Sequence, residues 1–409
     1  MITPFFDVKP LEAVLSLTDQ FSPMESETIA VENAFSRVLS CDIAASADMP
    51  GFRRATMDGY AVAAASTFGA SESSPAWLNI TGIVPMGGVP DFKLAPGTAA
   101  RISTGGMLPK GADSVVMIEH TDLVDEESVE IYKSVAPLQH VIDASEDFAK
   151  GEIVLSRGRF IRPQEQGLLA GMGIDRVDVF RRPRVGIIST GDEIIPISET
   201  AGPGRIRDIN SYALAGFVEE AHAVPVCYGI VADDRSAVEQ AIQRALAETD
   251  MVLVSGGSSV GAKDYTLDVL SQLTDARILV HGIAVSPGKP TILAGVQNKM
   301  VWGLPGQVVS AMVVFKVVVV PFLDRIKGLD GTVPAVTIYG QLTRNIASAQ
   351  GRRDFVRVIL EKTPGGYRVK PVLGKSGLIK TMIYADGLLE IGEDVEGLEK
   401  GSTVEVILL

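Results

Sequence analysis

Between Arg184 and Ile326 short apolar runs alternate with stretches of helical periodicity, and this alternation constrains the fold more than any other feature of the 409-residue chain. The runs at 185–189, 225–231, 251–255, 278–285 and 300–303 predict strands. The stretches at 211–221, 235–247, 265–273 and 308–326 predict helices, with Asp233 or Asp234 placed to cap the second. Strands connected in this way build a mostly parallel sheet covered on both faces, and such sheets bind ligands beyond the carboxyl ends of their strands. Polar, glycine-rich segments stand at those ends. They are Thr190-Gly191-Asp192-Glu193, Gly256-Gly257 through Gly261 to Lys263-Asp264, Ser286-Pro287-Gly288-Lys289-Pro290 and Leu304-Pro305-Gly306, and they are expected to converge on one pocket.

The flanking sequence has other periods. The first 48 residues read as mainly helical, from Leu11, Val14, Leu15 and Leu17 and from a second apolar-periodic stretch at 31–39. Met49-Pro50-Gly51-Phe52 marks a boundary. Runs at 78–84, 98–102, 114–118 and 129–135, separated by Gly- and Pro-rich turns, predict a small β-rich domain, after which helical periodicity returns up to residue 174. Beyond Lys327-Gly328 the pattern is β again. The runs 354–361 and 367–373 flank a hairpin signal at Thr363-Pro364-Gly365-Gly366, and a C-terminal barrel or sandwich is expected.

Charge and composition restrict the function classes. Lys and Arg number 37 against 50 Asp and Glu, a net charge of −13 with a pI near 4.9, which disfavours binding to nucleic acid or an anionic membrane. An anionic substrate would need local cations, backbone amides or a metal ion to offset that field. Cys41 and Cys227 are far apart without a CxxC motif, and His120, His140, His222 and His281 show no HExxH spacing. Neither a disulfide framework nor a zinc centre is expected, and a reducing compartment fits. The N-terminus lacks the pattern of a signal peptide, and the most apolar run, 308–323, is broken by Lys316 and Pro321 and is shorter than the ~20 residues of a membrane span. A soluble cytoplasmic protein is expected.

The loops after the strands suit a phosphorylated ligand, because consecutive glycines expose backbone N–H groups and a following helix N-terminus adds positive potential. Glu193 and Asp264 are candidate Mg²⁺ ligands and Lys289 a candidate phosphate partner. The GxxxxGK[ST] and GxGxxG fingerprints are absent, which weakens P-loop NTPase and dehydrogenase readings. Plain structural readings stand beside these: Gly256-Gly257 as a tight turn, Asp192 and Asp233-Asp234 as caps, Lys289 as a surface lysine, and His120 and His140 as ordinary surface or core residues. In the β-rich region, Thr56-Met57-Asp58-Gly59-Tyr60-Ala61 and Arg101-Ile102-Ser103-Thr104-Gly105-Gly106 make two polar turns, for which a structural role is the default.

Taken together and in order, these segments resemble the molybdopterin molybdenumtransferase family, the MoeA proteins and the gephyrin E-domain. The resemblance rests on Pro50-Gly51-Phe52 with the Thr56–Ala61 segment, Arg101 to Gly105, Glu146-Asp147, Ser189-Thr190-Gly191-Asp192-Glu193, Ser255-Gly256-Gly257 through Gly261 to Asp264-Tyr265, Pro287-Gly288-Lys289-Pro290 and Gly303-Leu304-Pro305-Gly306. It implies an elongated homodimer of four domains: an N-terminal helical domain (1–48, rejoined by 143–179), an inserted β-rich domain (49–142), an α/β molybdopterin-binding domain (180–327) and a C-terminal β-barrel (328–409). It also implies the last step of molybdenum cofactor synthesis, in which adenylylated molybdopterin is hydrolysed, molybdate is inserted and AMP leaves, with Mg²⁺ required.

By position, the resemblance implies metal and phosphate handling by Glu193 and Asp264. Asp58 and Thr104 match the second domain's catalytic contribution, which would reach the α/β pocket across the dimer, and Asp147, Asp233 and Lys289 match functional positions. Further substrate contacts are expected from Thr190, Gly191, Ser255, Gly256, Gly257, Gly261, Pro287, Gly288, Pro305 and Gly306, and other cofactor-biosynthesis proteins are expected partners. The chain departs from the family at Ile142-Asp143-Ala144-Ser145, where arginines are usual, at Ser286 in place of a lysine, and at Gln307-Val308 in place of Asn-Pro. Arg53, Arg54, Arg205, Arg207 and Lys263 are candidate replacements for the missing charge. These departures leave a second reading, a catalytically weakened molybdopterin-binding or scaffold protein. Molybdopterin adenylyltransferase is a third, and tungstate would leave the same motifs.

Overall fold

The α/β section of the computed structural model contains the strands read from the sequence and one more. They are β1 (Arg184–Thr190), β2 (Val224–Val231), β3 (Met251–Ser255), β4 (Ala276–His281), β5 (Ile292–Val296) and β6 (Lys299–Leu304), in the sheet order β2-β1-β3-β6-β5-β4. Strands β2, β1, β3 and β6 run parallel, and β5 is antiparallel to both of its neighbours. The structure describes residues 7–256, 265–331 and 336–409.

Every residue of β3 is buried, and all of β1 beyond Arg184, because helices cover both faces of the sheet. On one side lie α1 (Asn210–Glu220), which buries Ser211, Leu214 and Val218, and α4, a run of Val308–Val314, the π-helical turn Phe315–Val319 and Val320–Ile326. Pro321 has no N–H to donate and follows directly on that π-helical turn, where the regular hydrogen-bond ladder is already broken. Trp302, Phe315 and Phe322 are fully buried there, and the Trp302 and Phe322 rings meet edge-on at 5.0 Å. Each such side chain contributes about 1.5–3 kcal/mol by leaving water. On the other side α2 (Arg235–Glu248) and α3 (Tyr265–Gln272) pack Val238, Ile242, Val269 and Leu270 against Val252, Val254 and Val301. Asp234, not Asp233, caps α2 by accepting from the Ala237 N–H at 3.0 Å.

Register sets the ends of the strands. Ser189 pairs with Ser255, and Ser255 with Leu304, so β1, β3 and β6 end level and their loops leave side by side.

Three stretches differ from the sequence reading. The strand predicted at 278–285 is divided: β4 stays on the sheet, whereas Val285–Ser286 pairs with the distant strand Arg353–Thr363. Strand β5 carries no strong turn signal, because it joins β6 through Gln297-Asn298, with Gln297 itself in the left-handed region (φ 54°). Helix is also scarcer near the N-terminus than the periodicity predicts. It is confined to Leu11–Leu15 and short 3₁₀ turns; the 31–39 stretch is helical only at Val31–Asn33, because Ser36 is left-handed (φ 62°) and Val38 and Leu39 form β-bridges with Phe160 and Val179. Ser26–Ala30, before it, is a strand paired with Arg176–Phe180.

The C-terminal β pattern closes into a barrel rather than a sandwich. Arg353–Thr363, Gly366–Pro371, Thr337–Leu342, Thr403–Leu408 and Gly387–Ile391 pair in that order, and the last returns to the first. Leu342, Val358, Val369, Leu389, Val404 and Val406 fill it.

Contacts divide the chain into two compact units: Met1–Ser40 with Gly158–Arg162 and Arg176–Leu409, and Cys41–Arg157 with Pro163–Asp175. The second holds a six-stranded sheet in the order Ser114–Met117, Gly59–Val62, Thr98–Ile102, Ala76–Ile83, Ser128–Ile131 and Thr121–Leu123, matching the β-rich reading. Among the described residues no helix is long and apolar enough to cross a membrane.

Candidate active site

The level strand ends bring Thr190, Gly191, Ser255, Gly256 and Gly306 to one cavity of about 400 Å³, with Glu193 and Asp233 on its rim. Close approach explains two of the glycines, by backbone at Gly256 and by a side chain at Gly191. A Cβ on Gly256 (φ +107°) would lie 2.4 Å from the Thr190 carbonyl oxygen, and one on Gly191 would lie 2.8 Å from Glu193 Oε2. The Glu193 carboxylate therefore lies against Gly191 within the β1 loop, and the β1 and β3 loops approach closely because Gly256 has no side chain. Asp192 and Asp233 join the β1 and β2 loops by exchange: the Asp233 N–H donates to Asp192 Oδ1 at 3.1 Å, and the Asp192 N–H to Asp233 Oδ2 at 3.4 Å. Both act as loop ties, so neither is a helix cap. The buried Thr190 hydroxyl has no hydrogen-bond partner among the described residues.

Sequence reasoning missed Asn210 and Asp208. From the start of α1, Asn210 Nδ2 donates to Ser255 Oγ at 2.6 Å and to the Gly306 carbonyl at 3.0 Å, tying together the ends of β3 and β6. Asp208 accepts from the Ser211 N–H at 3.0 Å and lines the same cavity. The local signal in Asp208-Ile209-Asn210-Ser211 is only that of a helix entry. Arg207 also lines the cavity, but its Nε donates to the carbonyls of Ile197 (3.2 Å) and Glu199 (3.1 Å), and Arg205 donates to the Asp192 carbonyl. The rim thus sets Glu193, Asp208 and Asp233 against Arg207.

Among the described residues the expected single pocket is divided into two. Pro287, Gly288, Lys289 and Pro305 line a second cavity of about 610 Å³, with Ser286, Ser310, Arg352 and Ser376. Gly306 and Gln307 line both cavities. The separation has a topological cause: Val285–Ser286 leaves the sheet for the barrel and carries the Pro287-Gly288-Lys289 loop with it. Gly288 (φ +125°) is fixed there, since a Cβ would lie 2.3 Å from Val314 Cγ2, and the Lys289 carbonyl accepts from the N–H groups of Ile283 (3.0 Å) and Thr291 (2.9 Å).

In the other compact unit, Asp58 Oδ1 accepts from the Thr104 N–H at 2.7 Å, so the two polar turns singled out in sequence are joined. Gly59 follows in a central strand where a Cβ would lie 1.9 Å from the Val116 carbonyl oxygen. Asp147 sits apart from this contact in a turn, its N–H bonded to the Met49 carbonyl at 3.0 Å. Arg53 is taken by Asp143, at 2.7 and 3.1 Å, and its guanidinium holds the Asp143 carboxyl below the usual range. Gly257, Gly261, Lys263 and Asp264 lie outside the described residues. Among the described residues, no three His, Cys, Asp or Glu side chains are grouped to hold a metal ion by themselves.

Comparison with known proteins accounts for nearly the whole chain. Residues 9–173 match the MoeA N-terminal region (domain I and II), 186–325 a probable molybdopterin-binding domain, and 339–409 the MoeA C-terminal region (domain IV). The chain is 38% identical to the putative molybdopterin biosynthesis protein of Methanocaldococcus jannaschii, over 93% of this chain and 92% of that protein. It is 31% identical to the molybdopterin molybdenumtransferase of Bacillus subtilis, over 94% and 90%. The crystal structure of a molybdopterin biosynthesis MoeA protein from Pyrococcus horikoshii superposes with a TM-score of 0.80 at 38% identity, covering 98% of this chain and 99% of that one. Sequence, domain order and fold agree, and the chain belongs to the MoeA family.

Proposed function

We propose that this chain is a molybdopterin molybdenumtransferase acting in molybdenum cofactor biosynthesis, inserting molybdate into adenylylated molybdopterin with release of AMP. One observation carries the reading: the level ends of β1, β3 and β6 bring glycine-loop amides and carboxylates to a nucleotide-sized cavity that adjoins a second cavity bearing Lys289, Ser310 and Arg352. In the first cavity the backbone at Thr190, Gly191, Ser255 and Gly256 orients the phosphates, while Asn210 fixes the loops; Gly257 and Gly261 are assigned to phosphate binding from the sequence alone. In the second, Pro287, Gly288, Lys289, Pro305 and Gly306 receive the oxyanion, aided by the Ser310 hydroxyl and the Arg352 guanidinium, which also pairs with Asp354 at 3.0 Å. Asp58, through the Thr104 N–H it holds, and Asp147 are assigned to the same reaction.

Mg²⁺ fits the donor set of the first cavity. Glu193, Asp208 and Asp233 against one guanidinium would repel a pyrophosphate on their own, and Mg²⁺ characteristically takes one or two carboxylates and leaves its other positions to water and phosphate. Glu193 and Asp264 are the proposed ligands, and Asp233 lines the same cavity as Glu193; when bound, the ion neutralises and polarises the pyrophosphate. Four domains (1–48 with 143–179, 49–142, 180–327 and 328–409), a homodimer, a cytoplasmic location and contacts with other proteins of the same synthesis complete the proposal.

The test is AMP release and cofactor formation from adenylylated molybdopterin, Mg²⁺ and molybdate. Activity should rise steeply with Mg²⁺ and be lost in Glu193→Ala and Asp264→Ala. AMP release no greater than in those variants would refute the transferase reading, and pyrophosphate release from ATP with molybdopterin would indicate adenylyl transfer instead.

A further inference from the structure

The wall between the two cavities is polar. On one side Gly306 and Gln307 line both; on the other, Gly377 lines the first and Ser376 the second. The Ser376 hydroxyl donates to Gln307 Oε1, and the Val309 N–H donates to the Ser376 carbonyl at 3.0 Å. Gln307 occupies the N-cap position of α4, yet its side chain makes no capping bond; its backbone carbonyl still accepts from the Ala311 N–H at 3.0 Å. The side chain is committed instead to the barrel loop, and its Nε2 makes no hydrogen bond among the described residues.

We infer that Gln307 is a positioning and specificity-determining residue for the ligand that spans the two cavities. Its Oε1 holds the Ser376 loop against the turn at the end of β6, and its Nε2 donates to the anionic part of the ligand where the cavities join. The inference rests on the proposed reaction, in which a nucleotide-bearing substrate and an oxyanion must meet. A neutral amide suits this position. Glu193, Asp208 and Asp233 on the first cavity would draw an ammonium toward themselves, whereas an amide keeps its donor without being captured. It also serves both partners at once, accepting from Ser376 and donating to the ligand, whereas a cationic side chain has no acceptor for Ser376.

Gln307→Glu separates the two roles, because it preserves size and an acceptor for Ser376 while replacing the donor with a negative charge. Gln307→Ala removes both. Initial rates of AMP release are followed against molybdate concentration at saturating Mg²⁺, with the thermal unfolding midpoint measured alongside. The Glu variant is expected to raise the KM for molybdate about ten-fold or more, with a smaller change in kcat and an unchanged unfolding midpoint. The Ala variant should raise KM similarly and also lower kcat, because the loop is released. Gln307→Asn, which keeps both amide functions on a shorter arm, should recover part of the KM. A Glu variant within about two-fold of the parent in KM overturns the inference while leaving the transferase reading intact. A parent protein that releases no AMP defeats that reading, and the inference with it.

Discussion

Asp250, at the start of β3, offers a quantitative test of how the α/β sheet is tied to the N-terminal strand. Its carboxylate takes the Arg181 guanidinium at 2.9 Å through both oxygens and the Arg184 N–H at 2.8 Å, and Arg181 also pairs with Glu25. The Asp250 side chain is 15% exposed and that of Arg181 27%. Removing one member of a fully buried pair costs about 3–5 kcal/mol. Arg181 keeps Glu25 and some access to water, which reduces the expected cost of Asp250→Ala to about 2–3 kcal/mol; Asp250→Asn retains one carbonyl acceptor and should cost about 1–2 kcal/mol.

The two tryptophans make the assay specific, since Trp302 is fully buried in the α/β core and Trp77 is 55% exposed in the other compact unit. In a Trp77→Phe background, urea unfolding followed by Trp302 fluorescence should shift to lower midpoint with unchanged slope. Acid supplies a second readout. Burial alone would raise the Asp250 pKa, but Arg181 and the Arg184 amide outweigh it and hold the group below its ordinary value of 3.8. With the folded pKa lowered, the stabilisation is fully present above the unfolded pKa and fades as pH falls through the folded one. The Asn variant should lack that acid component. A change of less than about 0.5 kcal/mol in Asp250→Ala would refute the reasoning.

Two further outcomes follow from the geometry. Asn210→Ala should lose about 1–2 kcal/mol of stability through its two hydrogen bonds and slow AMP release, and Asn210→Asp should be slower still because it sets a carboxylate against the Gly306 carbonyl; an Asp variant equal to the parent in a rate assay contradicts this role. His222 has its pKa lowered from 6.5 by burial and then by Lys327 and Arg182, against the opposing pull of Asp324 and Glu220. The shift favours the neutral ring in the folded state, so its contribution is present above about pH 6.5 and declines as pH falls through the folded pKa, where the unfolded chain binds more protons. His222→Asn, which tolerates the left-handed backbone at this position (φ 57°), should flatten that slope in pH-dependent unfolding; an unaltered slope would count against it.

Much of this protein is legible without coordinates. The alternation of 185–189, 225–231, 251–255 and 300–303 with the helices between them is a local property, because burial on both faces of a sheet demands continuous apolar runs; a cap at Asp233 or Asp234 is legible as well, and in the structure Asp234 supplies it. The glycine loops are legible too, since a position where a Cβ would lie 2.4 Å from a neighbouring carbonyl oxygen, as at Gly256, admits only glycine. Strand β5 and the N-terminal strand Ser26–Ala30 were not legible, because their pairing depends on partners rather than on their own periodicity.

The sequence by itself therefore determined the fold class, the family resemblance and the chemical character of the loops. Only the tertiary structure decided that those loops line two cavities rather than one, that Asn210 ties β3 to β6, and that Gln307 and Ser376 form the wall between the cavities. Gln307 and Ser376 are 69 positions apart. No local pattern encodes such a contact, because it exists only once β6 and the barrel have each folded and brought their loops together.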